Sequence, residues 1–231
     1  MSGRGPVLLP PGTGEWPQEA RDPVALVVSV ARDGHVSCVF VARPEHAFGR
    51  DPFRGYVVEA ADPLFGRPDV DGLVRAMHRG SAPSRGITVT TLQLKGGALR
   101  GLGTVEPPAE AAVLRAGELA TGVDLTLARA VLAAGAEPRL AVRRRGSAGV
   151  RVLYPGRGLT LDGLRVEPSD LPGGIWEVEL LAGRGEFVSP PEGGEEGSPL
   201  ALAVAVGEDG AACRRALDLL PRALRVRARR S

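Results

Sequence analysis

The chain has 231 residues, 43% of them hydrophobic, and a formal net charge of +2. It is long enough for one large domain or two small ones around a real core, and its charge is too balanced to supply the basic patch of a nucleic-acid-binding surface. No run approaches the roughly 20 apolar residues of a membrane span, and the apolar stretch within MSGRGPVLLPPGTGEW is too short for a signal peptide, so a cytoplasmic protein without a membrane partner is expected.

Residues 1–22 are rich in Pro and Gly without periodicity and are expected to form an extended arm. Val24 to Val30 and Val36 to Val41 are β-branched runs on either side of Asp33-Gly34, a pairing that predicts a hairpin. Cys38 in the second run and Cys213 far downstream are isolated, which suits small buried hydrophobes better than a disulfide or metal pair. His35, His46 and His78 lack ligand spacing, which argues against zinc.

From Arg43 to Pro68 four prolines limit helix and leave one short extended run around Tyr56 to Glu59. Asp69 is then expected to cap a helix whose Val70, Leu73, Val74 and Met77 fall on one face, ending near Gly80. Thr88 to Val105 reads as a second hairpin, turning at Gly96 and Gly97 beside Lys95, the chain's only lysine.

Two helices follow. Ala112, Val113, Ala116, Leu119 and Ala120 line the first, which closes at Gly122. Asp124 caps the second, with Leu127, Ala128, Val131 and Leu132 expected inside and Gly135 at its end. Arg143, Arg144 and Arg145 sit in a connection that reads as a solvated loop.

Beyond Val150 short strands at Val150–Tyr154, Leu159–Arg165 and Ile175–Leu181 alternate with tight turns, and Glu192, Glu195 and Glu196 mark an acidic loop. A strand at Leu200 to Val206, a helix around Cys213 and Leu217, and a terminal strand at Leu224 to Ala228 complete the pattern. Arg225, Arg227, Arg229 and Arg230 crowd that last segment without an interleaved aromatic, so no stacking platform for nucleic acid is expected.

In order and spacing, VALVVSVARDGHVSCVFVA, GYVVEAADPLF, TLQLKGGALRGL, ATGVDLTLARAVLAAG, AGVRVLYPGRGLTLDGL and LALAVAVGEDGAACRRALDLLP, from Pro23 to the C-terminus, resemble the carboxyl-terminal half of ATP-grasp carboxylate-amine ligases, in the amino-acid and dipeptide branch. The resemblance implies an α+β fold: an ATP-grasp-like antiparallel sheet with packed helices over 23–147, then a small, mainly β module over 148–231. Such ligases phosphorylate a carboxylate with ATP and let an amine attack the acyl phosphate.

The resemblance also implies where their chemistry would sit. A glutamate would fall at Thr91, a Glu-x-Asn at Gly101, Leu102 and Gly103, and an arginine at Val105. None of these residue types is present, and the lobe that grips nucleotide with lysines and a glycine-rich loop has no counterpart in the sequence. The expectation is therefore a truncated, non-catalytic relative, a pseudoenzyme working as an accessory or binding subunit, with no catalytic residues, no metal and no cofactor. The alternative is a ligase or ligase subunit that uses ATP and magnesium and completes its site with a partner chain. Expected partners are a full-length ligase or a second copy of this chain. If an old substrate cleft still binds a ligand, Arg100, Glu59 and Asp62 are its candidate polar residues.

Overall fold

The computed structural model describes residues 25–46, 53–81, 85–95, 98–107, 111–141, 143, 146–191 and 197–229. The arm expected over 1–22, the turn residues Gly96 and Gly97, Arg144, Arg145, Arg230, and Glu192, Glu195 and Glu196 lie outside them. In chain order the elements are β1 (Ala25–Arg32), β2 (His35–His46), β3 (Phe53–Glu59), α1 (Pro68–Ser81), β4 (Arg85–Lys95), β5 (Ala98–Val105), α2 (Ala112–Thr121) and α3 (Leu125–Ala133). They continue with β6 (Ser147–Leu153), β7 (Leu159–Val166), β8 (Ile175–Leu180), β9 (Phe187–Val188), β10 (Ala201–Gly207), α4 (Gly210–Leu219) and β11 (Leu224–Ala228). The class is α+β, as the resemblance implied. Contacts divide the chain into two units, 25–44 with 58–147, and 45–57 with 148–231.

In the first unit strands pair in the order β5-β4-β1-β2, antiparallel at each step. The Asp33-Gly34 turn works as the sequence predicts: both residues take positive φ, 48° and 86°, which the twist of a two-residue hairpin requires. Alternation along the strands then sends Ala25 and Val27 of β1, Val41 of β2 and Leu92 of β4 to one face, where Leu64 and α1 cover them through Val70 and Val74. Burying those two valines, 1% and 0% exposed, stabilises the docking of α1 by about 1.5–3 kcal/mol each.

Helix α3 packs against β4. Helix α2 lies so close to β2 that a Cβ on Gly117 would stand 2.0 Å from two ring carbons of Phe40. Gly122 ends α2 at φ 72°, and the Asp124 side chain accepts from the Leu127 backbone N–H at 2.7 Å to start α3.

In the second unit the order is β3-β6-β10-β8, with a smaller sheet β11-β7-β9. Its core sets Ala201, Ala203 and Ala205 of β10 against Cys213, Leu217 and Leu220. Small residues on the strand let α4 lie close. Strand β3 approaches β6 closely too, since a Cβ on Gly55 would meet the Val150 carbonyl oxygen at 1.8 Å.

Two local expectations change and one strand is added. Helix α1 begins at Pro68, so Asp69 is a first-turn residue held by the Arg67 guanidinium at 3.0 and 2.6 Å, and not its cap. Leu127 is 59% exposed; the buried face of α3 is Leu125, Ala128 and Leu132. Strand β9, only two residues long, carries no pattern from which to read it. Among the described residues no helix is long and apolar enough to cross a membrane.

Candidate functional site

The hairpin of β4 and β5 is where the resemblance put the ligase chemistry, and its register decides what those positions can do. Thr91 stands opposite Gly103 and Leu92 opposite Gly101, with a bulge at Leu102 between them. A bulge breaks the period-two alternation, so Gly101 and Gly103, two apart in sequence, face opposite sides. Gly103 shares a face with Thr91. Gly101 shares one with Leu92, under α1, where an added Cβ would meet the Met77 Cγ and Sδ at 2.8 Å.

Thr91, 3% exposed, is buried, and its neighbours on that strand face are Ile87 and Val89. The donor set here is a hydroxyl, two glycines and aliphatic side chains. Magnesium takes oxygen ligands with at least one or two carboxylates, so the residues at Thr91, Gly101, Leu102, Gly103 and Val105 do not fit a magnesium pair. Among the described residues no three His, Cys, Asp or Glu side chains gather closely enough to hold a metal ion.

Under α1 the sheet carries a polar row. His78 Nε2 lies 2.9 Å from the Thr88 hydroxyl, Thr90 and Thr104 hydroxyls meet at 2.9 Å across the hairpin, and the Ser29 hydroxyl donates toward Cys38 Sγ at 3.8 Å. Burial lowers the His78 pKa. Burial, opposed by the Ser29 hydrogen bond, pushes the Cys38 thiol up to about 12. The thiol therefore stays protonated near neutral pH, and the His78 Nε2 is engaged with the Thr88 hydroxyl.

A cleft of about 640 Å³ opens beside the tip of the same hairpin. Leu64, Leu73, Leu94 and Leu99 give it aliphatic walls, and Arg43, Arg67 and Asp69 give it charge. Asp62 stands behind it. Its carboxylate accepts from Arg43 Nε at 2.6 Å and Nη2 at 2.9 Å, and from the Leu64 backbone N–H at 2.8 Å. Asp62 is thus a buried clamp that fixes Arg43 and the Leu64 turn. Glu59, at the end of β3, meets Asp62 through the backbone, its carbonyl accepting from the Asp62 N–H at 3.1 Å. Arg100 pairs across from Gln93 and, by alternation, points to the face away from Leu99 and the cleft. Arg43 was not among the residues read from sequence; it lies 19 positions from Asp62 with nothing local to link them.

The second unit holds its own ion network. Arg151 donates through Nη2 to Glu45 at 2.9 Å and through Nη1 to Asp218, while Arg214 Nε reaches the other Glu45 oxygen at 2.8 Å. The Arg151 Nε is buried without a partner. Burial alone would lower the Arg151 pKa, but the Glu45 and Asp218 carboxylates outweigh it and raise the value.

The order of elements, the β4–β5 hairpin and the helices on it give this chain the fold of ATP-grasp ligases. Solved structures that share it include an L-amino acid ligase from Bacillus licheniformis, with a TM-score of 0.74 at 13% identity over 90% of this chain and 55% of that one. Phosphoribosylglycinamide synthetase from Anaerococcus prevotii matches with a TM-score of 0.70 at 12% identity, over 89% of this chain and 53% of its own. The biotin carboxylase domain of Hydrogenobacter thermophilus 2-oxoglutarate carboxylase, in complex with magnesium ADP, ADP and bicarbonate, gives 0.61 at 16% identity over 90% and 47%. The chain thus spans about half the length of these proteins, and at such identities the likeness is one of fold. No protein-family model and no curated protein matches the sequence.

One expectation is corrected by this comparison. A cofactor-free protein was expected from the missing lysines and carboxylates, yet a domain of the same fold holds magnesium ADP. The missing groups bear on the metal and on phosphoryl transfer. Nucleotide sites rest largely on apolar walls and a few polar groups, so the absence of those charges gives no ground for ruling out a nucleotide.

Proposed function

We propose that this chain is a ligase-related binding protein, an accessory subunit in a biosynthetic pathway that uses the ATP-grasp skeleton to hold a nucleotide or a small substrate without turning it over. The observation that supports it best is the split at the β4–β5 bulge. A carboxylate at position 101 would lie on the face under α1, against the Met77 side chain, and so on the opposite face from one at 91, while Gly103 brings no side-chain ligand. Phosphoryl transfer depends on metal ions that neutralise developing charge on the phosphate oxygens, and these positions lack the ligands.

The test is a melting experiment with ATP and ADP at millimolar concentration, with and without magnesium, beside an assay for ADP release in the presence of amino acids. Nucleotide raises the melting temperature equally with and without the metal, and no ADP forms. Magnesium-dependent ADP release overturns the reading. A second reading is a divergent carboxylate-amine ligase whose site is completed by further polypeptide. It is favoured by the chain's span of about half of the matched ligases, and it predicts ADP release once that polypeptide is supplied.

A further inference from the structure

Among the described residues, strand β8 is paired on one side only, by β10, and strand β11 on one side only, by β7. Each therefore presents a row of backbone N–H and C=O groups to a potential partner. Their side chains have complementary signs. On β8, Val178 and Leu180 stand opposite Ala203 and Ala201 on the core side, so Glu177 and Glu179 share the other face. On β11, Leu224 packs on the same core and Val226 stands opposite Leu164, so Arg225 and Arg227 share the outer face.

Trp176, Leu180 and Val226 are exposed at 58%, 40% and 40%, an apolar surface along both strands. Burial and the neighbouring Glu177 raise the Glu179 pKa, so a cation brought beside Glu179 favours its charged form. Arg225 is held by Asp170 and the Arg222 carbonyl, and its side chain remains 44% exposed.

We propose that a second copy of this chain docks its β11 along β8. In one antiparallel register Glu177 faces Arg227, Val178 faces Val226, Glu179 faces Arg225 and Leu180 faces Leu224, which puts opposite charges on one face and apolar side chains on the other. Identical edges are repelled: β8 on β8 sets glutamate against glutamate, and β11 on β11 sets arginine against arginine, and like charges directly opposite destabilise a strand pair. The contact is heterologous. Each pair of copies keeps one open β8 and one open β11, so assembly continues past two copies unless it closes on itself.

Sedimentation velocity on the full chain tests this. The wild type shows mass above the 24.0 kDa of one chain, rising with concentration and falling with added salt. Glu177→Arg with Glu179→Arg, and separately Arg225→Glu with Arg227→Glu, each weaken association at least about tenfold while circular dichroism stays unchanged. Mixing the two reversed variants restores it, because each then offers the edge that the other needs. Should a reversed variant not fold, Glu179→Gln and Arg227→Gln give the same weakening on a smaller scale. A wild type that stays at one chain's mass over the whole range overturns the proposal, as do reversed variants that associate like the wild type or folded ones whose mixture stays monomeric.

Discussion

Asp62 and Arg151 are the buried charges among the described residues, one in each unit, and they are compensated in different ways. Asp62 spends its carboxylate on two nitrogens of Arg43 and the Leu64 N–H, and Arg43 keeps a quarter of its side chain in solvent. Arg151 sits between Glu45 and Asp218 but leaves its Nε without an acceptor. An unmet buried donor costs about 1–3 kcal/mol, so the first arrangement is a satisfied clamp and the second carries an internal penalty. The difference shows that a buried ion pair should be judged by every polar atom in it.

Five substitutions sharpen or break that contrast. Glu45→Ala has the largest effect, because it takes one of two carboxylates from buried Arg151 and an acceptor from Arg214 at once; urea unfolding should report a loss of about 3 kcal/mol, the low end for a broken buried pair, since Asp218 still holds Arg151. Arg151→Met costs much less than Glu45→Ala, since the orphan Nε goes with the charge and Glu45 keeps Arg214. Equal losses in these two variants would mean that the unmet donor carries no penalty. Asp62→Ala comes next, at about 1–3 kcal/mol, most of it from the Leu64 N–H, while Asp62→Asn retains part of that bond and costs less. Asp69→Ala removes an exposed pair with Arg67 and leaves the unfolding midpoint where it was.

His78 extends the comparison to a group with a hydroxyl partner and a pKa lowered by burial. Its folded value lies below the 6.5 of the unfolded chain, so the protein must pay to protonate it. Stability is full above pH 6.5 and is lost as pH falls through the lower, folded value. A His78→Gln variant should show a flatter stability profile on that acid side, measured by thermal melts between pH 5 and 8 on a scale of about pH units.

Much of this architecture is legible in the sequence because the signals are local. Asp33-Gly34 between two β-branched runs, the stripe from Val70 to Met77, Gly122 and Asp124 each encode their element within a few residues. Leu127 misleads because α3 is apolar on more than one side, so periodicity alone cannot choose the buried face. At the candidate site the hairpin is legible and the bulge at Leu102 is not: a bulge changes which side chains share a face without changing residue types. The Arg43–Asp62 and Arg151–Glu45 pairs are hidden for another reason, as they are made by the fold over separations of 19 and 106 residues.

The two cysteines, one half-buried and one buried, carry a practical consequence. With the Cys38 thiol pushed up to about 12 and Cys213 fully enclosed, thiolate is scarce at neutral pH, and the native protein should stay inert to maleimide. A single cysteine introduced at an exposed position such as Trp176 or Val226 would then be a selective handle for a dye or spin label, with both native cysteines left in place.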